Sequence, residues 1–254
     1  MTGARAVARV VLMACLVCVC RIAWGADAPV VIPAGARIGV MDLVTNDITH
    51  FHAGRTEMNS FLRTYRSNWG PADLIDAPLM MSLTAAGFTP VGIRASDELW
   101  KDRDSWFIEK PRAHKLPRGC LKELTRVMTE QKLAALIVVA PGANTDPEFV
   151  EGDRWSRLPK TTQGFGFLTS DEPSGIRVTA FDFTQMVVVA PSDDDGATLV
   201  ARDWGADRAY DWPGFDAGAN LKALPNAQVA QLGPVLADAI QKRITTRLIP
   251  KLKP

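Results

Sequence analysis

Leu133–Ala140 reads LAALIVVA, an unbroken apolar run closed by Pro141-Gly142. Eight apolar residues between breakers suit a central strand covered on both faces. The run follows Arg118–Gln131, where Leu121, Leu124, Val127 and Met128 recur at helical spacing. A helix delivered straight into a fully buried strand is the signature of a helix-covered sheet, and the rest of the chain is read outward from it.

Downstream, Ile176–Ala190 (IRVTAFDFTQMVVVA) is long and rich in β-branched residues, which predicts a long strand. The turn Pro191–Gly196 (PSDDDG) and the run Ala197–Asp203 (ATLVARD) make it the first arm of a β-hairpin. The Gly-, Pro-, Asp- and Thr-rich segment 142–175 reads as an excursion carrying one short strand at Gly164–Leu168. At the C-terminus, Val229, Leu232, Leu236, Ile240, Ile244 and Leu248 form an apolar stripe at steps of three and four, bent early by Gly233-Pro234.

Upstream, Ala34–Val44 is a strand apolar on both faces, ending at the turn-forming Thr45-Asn46-Asp47, and Ile48–Ala53 alternates as a second strand. The two are expected to pair as a hairpin. A polar, Arg-rich link leads to a helix starting near Ala72 or Asp76, with Asp76 as its cap, Pro78 in its first turn and Gly87 as its stop. Thr89–Ile93 is a short strand, and Ser96–Leu116 is charged and aromatic. The expected class is α/β (α+β): a mixed sheet with a long β-hairpin in its C-terminal half, covered by helices.

The first 25 residues carry an address. Arg5 and Arg9 precede the apolar run Val10–Cys20, and Ala23-Trp24-Gly25 places small residues before a cut that would leave Ala26 first. These are the parts of a secretory signal peptide, so residues 1–25 are expected to be cleaved from a single domain, 26–254. The run is too short for a spanning helix, which needs about 20 apolar residues. Leu12-Met13-Ala14-Cys15 loosely resembles a lipobox, so lipidation at Cys15 stands as the alternative to cleavage. The expected location is the periplasm or the exterior.

Cleavage changes the composition. Removing Arg5, Arg9 and Arg21 from 29 basic against 28 acidic residues leaves a net formal charge of about −2. That balance offers no electrostatic footprint for nucleic acid and no polybasic stretch for a membrane surface. Of four cysteines, Cys15, Cys18 and Cys20 leave with the signal, so Cys120 cannot form an internal bridge.

His50-Phe51-His52 is the candidate metal site, because residues two apart on a strand face one side. Asp42 or Asp47 on the facing strand would supply a third ligand; otherwise the pair lies on the solvent face of a hairpin. Cys120 opens a helix near Lys115, Arg118 and Lys122, with His114 as a conceivable base; otherwise it is a small buried hydrophobe. Asp193-Asp194-Asp195-Gly196 lacks the spread ligands of a calcium loop and reads as a solvated turn. Trp204, Tyr210, Trp212 and Phe215 alternate with Asp203, Asp207, Asp211 and Asp216. Trp204, Tyr210 and Trp212 are the interface candidates, against a loop pinned to the core by its rings. No catalytic residue and no cofactor is assigned: the chain lacks G-x-G-x-x-G, P-loop, G-x-S-x-G and H-E-x-x-H patterns.

The order of elements, with Leu136–Gly142 and the Asp193–Ala201 turn-and-strand, resembles bacterial cell-envelope α/β domains. These are of the type of the N-terminal domain of the Tol-Pal translocation protein and the periplasmic domain of the curli-secretion lipoprotein. VAPG-x-x-x-D-P from Val139 to Pro147, followed by GFGF at 164–167, is similar to uncharacterised exported proteins of proteobacteria. The curli type has membrane hairpins, but Asn144–Gly175 lacks their long alternation, so pore formation does not carry over. The resemblance implies a nonenzymatic binding or assembly module with an envelope protein, or a second copy in a homo-oligomer, as partner. The alternatives are a metal-dependent or thiol hydrolase using His50/His52 or Cys120, and a small-ligand carrier lined by tryptophans.

Overall fold

The computed structural model describes residues 31–66, 72–108, 116–142, 162–192, 196–204, 210–212, 214–216 and 220–252. Its strands are β1 (Arg37–Asp42), β2 (Asp47–Ala53), β3 (Phe61–Arg66), β4 (Thr89–Ile93), β5 (Ala135–Pro141), β6 (Gly164–Glu172), β7 (Gly175–Ser192), β8 (Gly196–Trp204) and β9 (Tyr210–Asp211). A π-helical turn, Ala72–Asp76, runs into α1 (Ala77–Ala85). The other helices are α2 (Asp97–Arg103), α3 (Arg118–Gln131), the short α4 (Asn226–Val229) and α5 (Leu232–Arg243).

The strands form one mixed sheet in the order β3-β2-β6-β7-β5-β1-β4, with β8 and β9 also paired to β7. The 18-residue β7 is its spine. Its first half pairs with β6 and its second half with β5, both antiparallel. Pro141 lies opposite Thr184 and Gly164 opposite Phe183, so β5 and β6 lie end to end along β7. β1 runs parallel to β5, and β2 parallel to β6. The sheet therefore has two tiers, one built on β4, β1 and β5, the other on β3, β2 and β6.

This corrects the expected hairpin of β1 with β2. Both strands run the same way, each beside a partner about a hundred residues later in the chain. The turn-like Thr45-Asn46-Asp47 takes the chain from one tier to the next instead of reversing it. β3 falls where the sequence suggested only a polar link, because Arg63, Thr64 and Arg66 of this end strand are exposed. Asp76 is also corrected: it has helical torsions and makes no side-chain cap, since the helical path already begins at Ala72. Gly87 does stop the helix, at a φ of 89° that suits glycine.

Alternation along the strands sends side chains to two cores. Ile38, Val40, Ile137, Val139, Met186 and Val188 pack with Leu79, Leu83, Leu236 and Ile240 from α1 and α5. Met41, Leu136, Val138, Val187 and Val189 pack with Leu99, Phe107, Leu124 and Met128 on the opposite side. β5 is buried along its whole length, as a strand between two helical layers must be. In the second tier, Phe51, Ala53, Leu168, Phe181 and Phe183 make a smaller apolar cluster. No helix among the described residues is long and apolar enough to cross a membrane.

Candidate functional site

β2 is an interior strand, between β3 and β6, and this decides the fate of its histidines. His50 lies opposite Arg63 and beside Phe167; His52 lies opposite Phe61 and beside Thr169. Both imidazoles share a face with Ile48 and are buried, at 0% and 6% exposure. The solvent-face reading of a hairpin is thus corrected: the pair sits inside the second tier.

The two rings converge on one hydroxyl. Thr169 Oγ1 is 2.8 Å from His50 Nε2 and 2.9 Å from His52 Nδ1. The second nitrogen of His52, Nε2, lies 3.8 Å from Asp171 Oδ1, and the second nitrogen of His50, Nδ1, is buried without a hydrogen-bond partner. His50 stacks on Phe167 at 4.3 Å between centroids and meets Phe61 edge-on at 5.1 Å, while His52 stacks on Phe61 at 5.0 Å. Burial, with smaller contributions from His52 and Arg63, pushes the His50 pKa from 6.5 down to about 3. His52 is lowered first by burial and further by Lys222, against the opposing pull of Asp171. Both rings are held neutral.

A single hydroxyl between two imidazoles orders the protons. With the Nε2 proton of His52 directed at Asp171, its Nδ1 accepts from the Thr169 hydroxyl. Thr169 Oγ1 then accepts from His50 Nε2–H, which leaves His50 Nδ1 as a bare lone pair. The chain Asp171–His52–Thr169–His50 runs from a carboxylate 28% exposed to a nitrogen sealed inside the sheet.

The other expected ligands do not join this cluster. Asp42 ends β1 in the other tier, where its Oδ1 accepts from Val44 N–H, and Asp47 points to the opposite face of β2 from the histidines. Among the described residues, no group of three or more His, Cys, Asp or Glu side chains is placed to hold a metal ion. Thr169 and Asp171 escaped sequence reading because the strand was expected to stop at Leu168. Extended to Glu172, its alternation places Phe165, Phe167, Thr169 and Asp171 on one side.

Cys120 is fully buried in the first turn of α3, and burial pushes its thiol up to about 12 despite a small opposing effect of Arg202. It is a neutral core residue at physiological pH. His114, Asp193, Asp194, Asp195 and Asp207 lie outside the described residues, as do the side chains of Trp204 and Asp211. Tyr210 is half-buried against the main core, and Trp212 is 5% exposed, edge-on to Phe167 at 5.2 Å and to Phe215 at 5.2 Å. These rings pin their loop to the sheet.

Asp203 has no place on an exposed acidic loop. It is 0% exposed and meets Arg243, itself 4% exposed, through a 2.6 Å Nε–Oδ2 bond. Arg243 Nη1 also donates to Asp182 Oδ2 at 2.8 Å and to Thr184 Oγ1 at 2.9 Å, and Nη2 donates to the carbonyls of Asp203 and Thr184. Every polar edge of the guanidinium has an acceptor, which is the condition for burying it. A second carboxyl pair lies at the end of β1. Burial pushes Asp42 up to about 6, and burial with Asp42 and Asp73 nearby pushes Asp76 up to about 7.

No family model matches the chain, and neither a curated protein nor a solved structure matches it.

Proposed function

We propose that the chain is an exported cell-envelope module that works by binding a partner or supporting assembly, without catalysis. The observation that carries this reading is the withdrawal of its reactive candidates into the interior. The Cys120 thiol is buried and protonated, and His50 and His52 spend three of their four ring nitrogens on internal contacts. A nucleophile or general base needs to reach a substrate atom; the imidazoles face Thr169, Phe61 and Phe167, and the thiol lies in the core beneath α3. The export part rests on Arg5, Arg9, the apolar run Val10–Cys20 and the Ala23-Trp24-Gly25 exit.

Surface apolar groups suit the binding part. β3 ends the strand order, and Leu62 on it is 51% exposed, with Met58 just before it at 92%. The test is expression of the full chain with a photocrosslinker at Leu62, followed by cell fractionation and mass spectrometry. The reading expects a mature chain starting at Ala26 in the envelope fraction and a recurrent crosslinked protein, absent when the crosslinker sits at Met81. An unprocessed cytosolic chain would refute export. A processed chain crosslinking equally from both positions would refute a specific binding surface.

A further inference from the structure

Where the two tiers meet, the sheet leaves a cavity of about 270 Å³. α1 and α3 pack on opposite faces of the β4-β1-β5 tier, an arrangement that opens a crevice beyond the carboxyl ends of parallel strands. Those ends lead into this cavity: Val44 and Thr45 follow β1, and Pro141 ends β5. The second tier closes it with β3 and the starts of β2 and β6. Thr49 and Thr64, opposite each other on β2 and β3, line it from the face of β2 away from the histidines.

We propose that this cavity binds a small zwitterion of the amino-acid class, with its carboxylate on Arg103 and its ammonium on Asp47. The site goes beyond the partner surface, with Leu62 common to both.

Arg103, at the end of α2, is aimed by three contacts. Its Nε donates to Asp104 Oδ1 at 3.2 Å, its Nη1 donates to the Leu43 carbonyl at 3.3 Å, and its guanidinium lies 4.9 Å over the Trp100 ring. Nη2 has no partner among the described residues, and a carboxylate is the acceptor that a guanidinium edge fits. Among the described residues of the lining, Asp47 is the other charged group; Arg66 stands opposite it on β3 but does not line the cavity. A simple anion would be repelled by Asp47 and a simple cation by Arg103. A molecule carrying both charges meets both.

The neutral lining suits the rest of such a molecule. Thr45, Thr49, Thr64 and Gln163 offer hydrogen bonds, and Val44, Leu62 and Pro141 make an apolar wall. Thr162 also lines the cavity at 5% exposure, and its Oγ1 is buried with no partner among the described residues, an orphan of the kind that a bound molecule satisfies. The volume falls below the roughly 300–1,000 Å³ of clefts that take drug-sized ligands, which points to an occupant of amino-acid size.

The test is equilibrium dialysis of the folded full chain against an equimolar mixture of the standard amino acids. The retained species is identified by mass spectrometry and then titrated calorimetrically beside its deaminated acid and its decarboxylated amine. The site expects one amino acid or a narrow set to be retained, bound at least about tenfold more tightly than either analogue. Arg103→Gln should abolish the preference over the amine, and Asp47→Asn the preference over the acid. Thr162→Val should weaken binding while leaving the melting temperature of the unliganded chain the same or higher, because it removes an unpaired buried hydroxyl. Retention of no amino acid at millimolar concentration overturns the proposal, as does an acid or amine that binds as tightly as the amino acid. Wild-type affinity and selectivity in both Arg103→Gln and Asp47→Asn overturn it as well.

Discussion

Replacing Arg243 with Met tests whether α5 is held to the sheet by charge or by packing. The substitution keeps most of the aliphatic volume but removes the donors that reach Asp182, Asp203 and Thr184. Asp182 is 1% exposed, and without Arg243 its carboxylate retains the Thr184 N–H at 2.9 Å. Asp203 keeps Arg247 at 2.9 Å and Lys251 at 3.9 Å, so the stranded charge is chiefly that of Asp182. Breaking one partner out of a buried ion pair costs about 3–5 kcal/mol. Urea denaturation should show Arg243→Met destabilised by that amount with an unchanged m-value. Adding Asp182→Asn to Arg243→Met should recover about half of the loss, because an amide strands no charge. A loss below about 1 kcal/mol for Arg243→Met, or an Asp182→Asn addition that deepens it, would refute the idea that the guanidinium neutralises a buried carboxylate.

His50→Phe separates acid sensitivity from packing. With a folded pKa of about 3 against an ordinary 6.5, His50 gives its full stability above 6.5 and loses it as pH falls toward 3. The wild type should therefore lose about 2 kcal/mol more than the variant between about pH 7.5 and about pH 5, measured by urea melts at both. Asp76→Asn should act oppositely. Its carboxyl pKa is raised from 3.8 to about 7, so the variant should exceed the wild type in stability at about pH 8.5 and lose that advantage progressively as pH falls from about 7 toward 3.8. Gly166→Ala should destabilise by about 3 kcal/mol or more in thermal melts, since its Cβ would overlap Thr49 O and the Phe181 ring. The Cys120 thiol should resist a disulfide reagent in the folded chain and react within minutes in urea.

The elements were largely legible in the sequence, and the way they join was not. Arg118–Gln131 and Thr89–Ile93 coincide with α3 and β4, because helical spacing and flanking breakers are local signals. β5, β7 and β8 were found for the same reason. What decides whether β1 and β2 pair is the location of β5 and β6 about a hundred residues later, and no local pattern around Thr45-Asn46-Asp47 records that. The site divides similarly. The common side of His50 and His52 follows from spacing, but their burial and their meeting at Thr169 follow from strand order. Arg243 did leave a local trace: it stands three residues after Ile240 on the buried stripe of α5, and Asp182 is the ionisable residue in the buried run 178–190 of β7. Two opposite charges on core-facing positions of different elements are a pairing signal.

The end-to-end tiers bear on how the chain comes together when it is delivered from its N-terminus. β1 and β2 each find a central neighbour only in β5 and β6, and those strands in turn are joined along β7. Until β7 has emerged, neither tier has its spine, and until Arg243 follows, Asp182 and Asp203 have no guanidinium to meet. Non-local pairing of this kind delays closure. The first two thirds of the polypeptide thus lack the sheet's spine, and the last third supplies the strand and the guanidinium that close it.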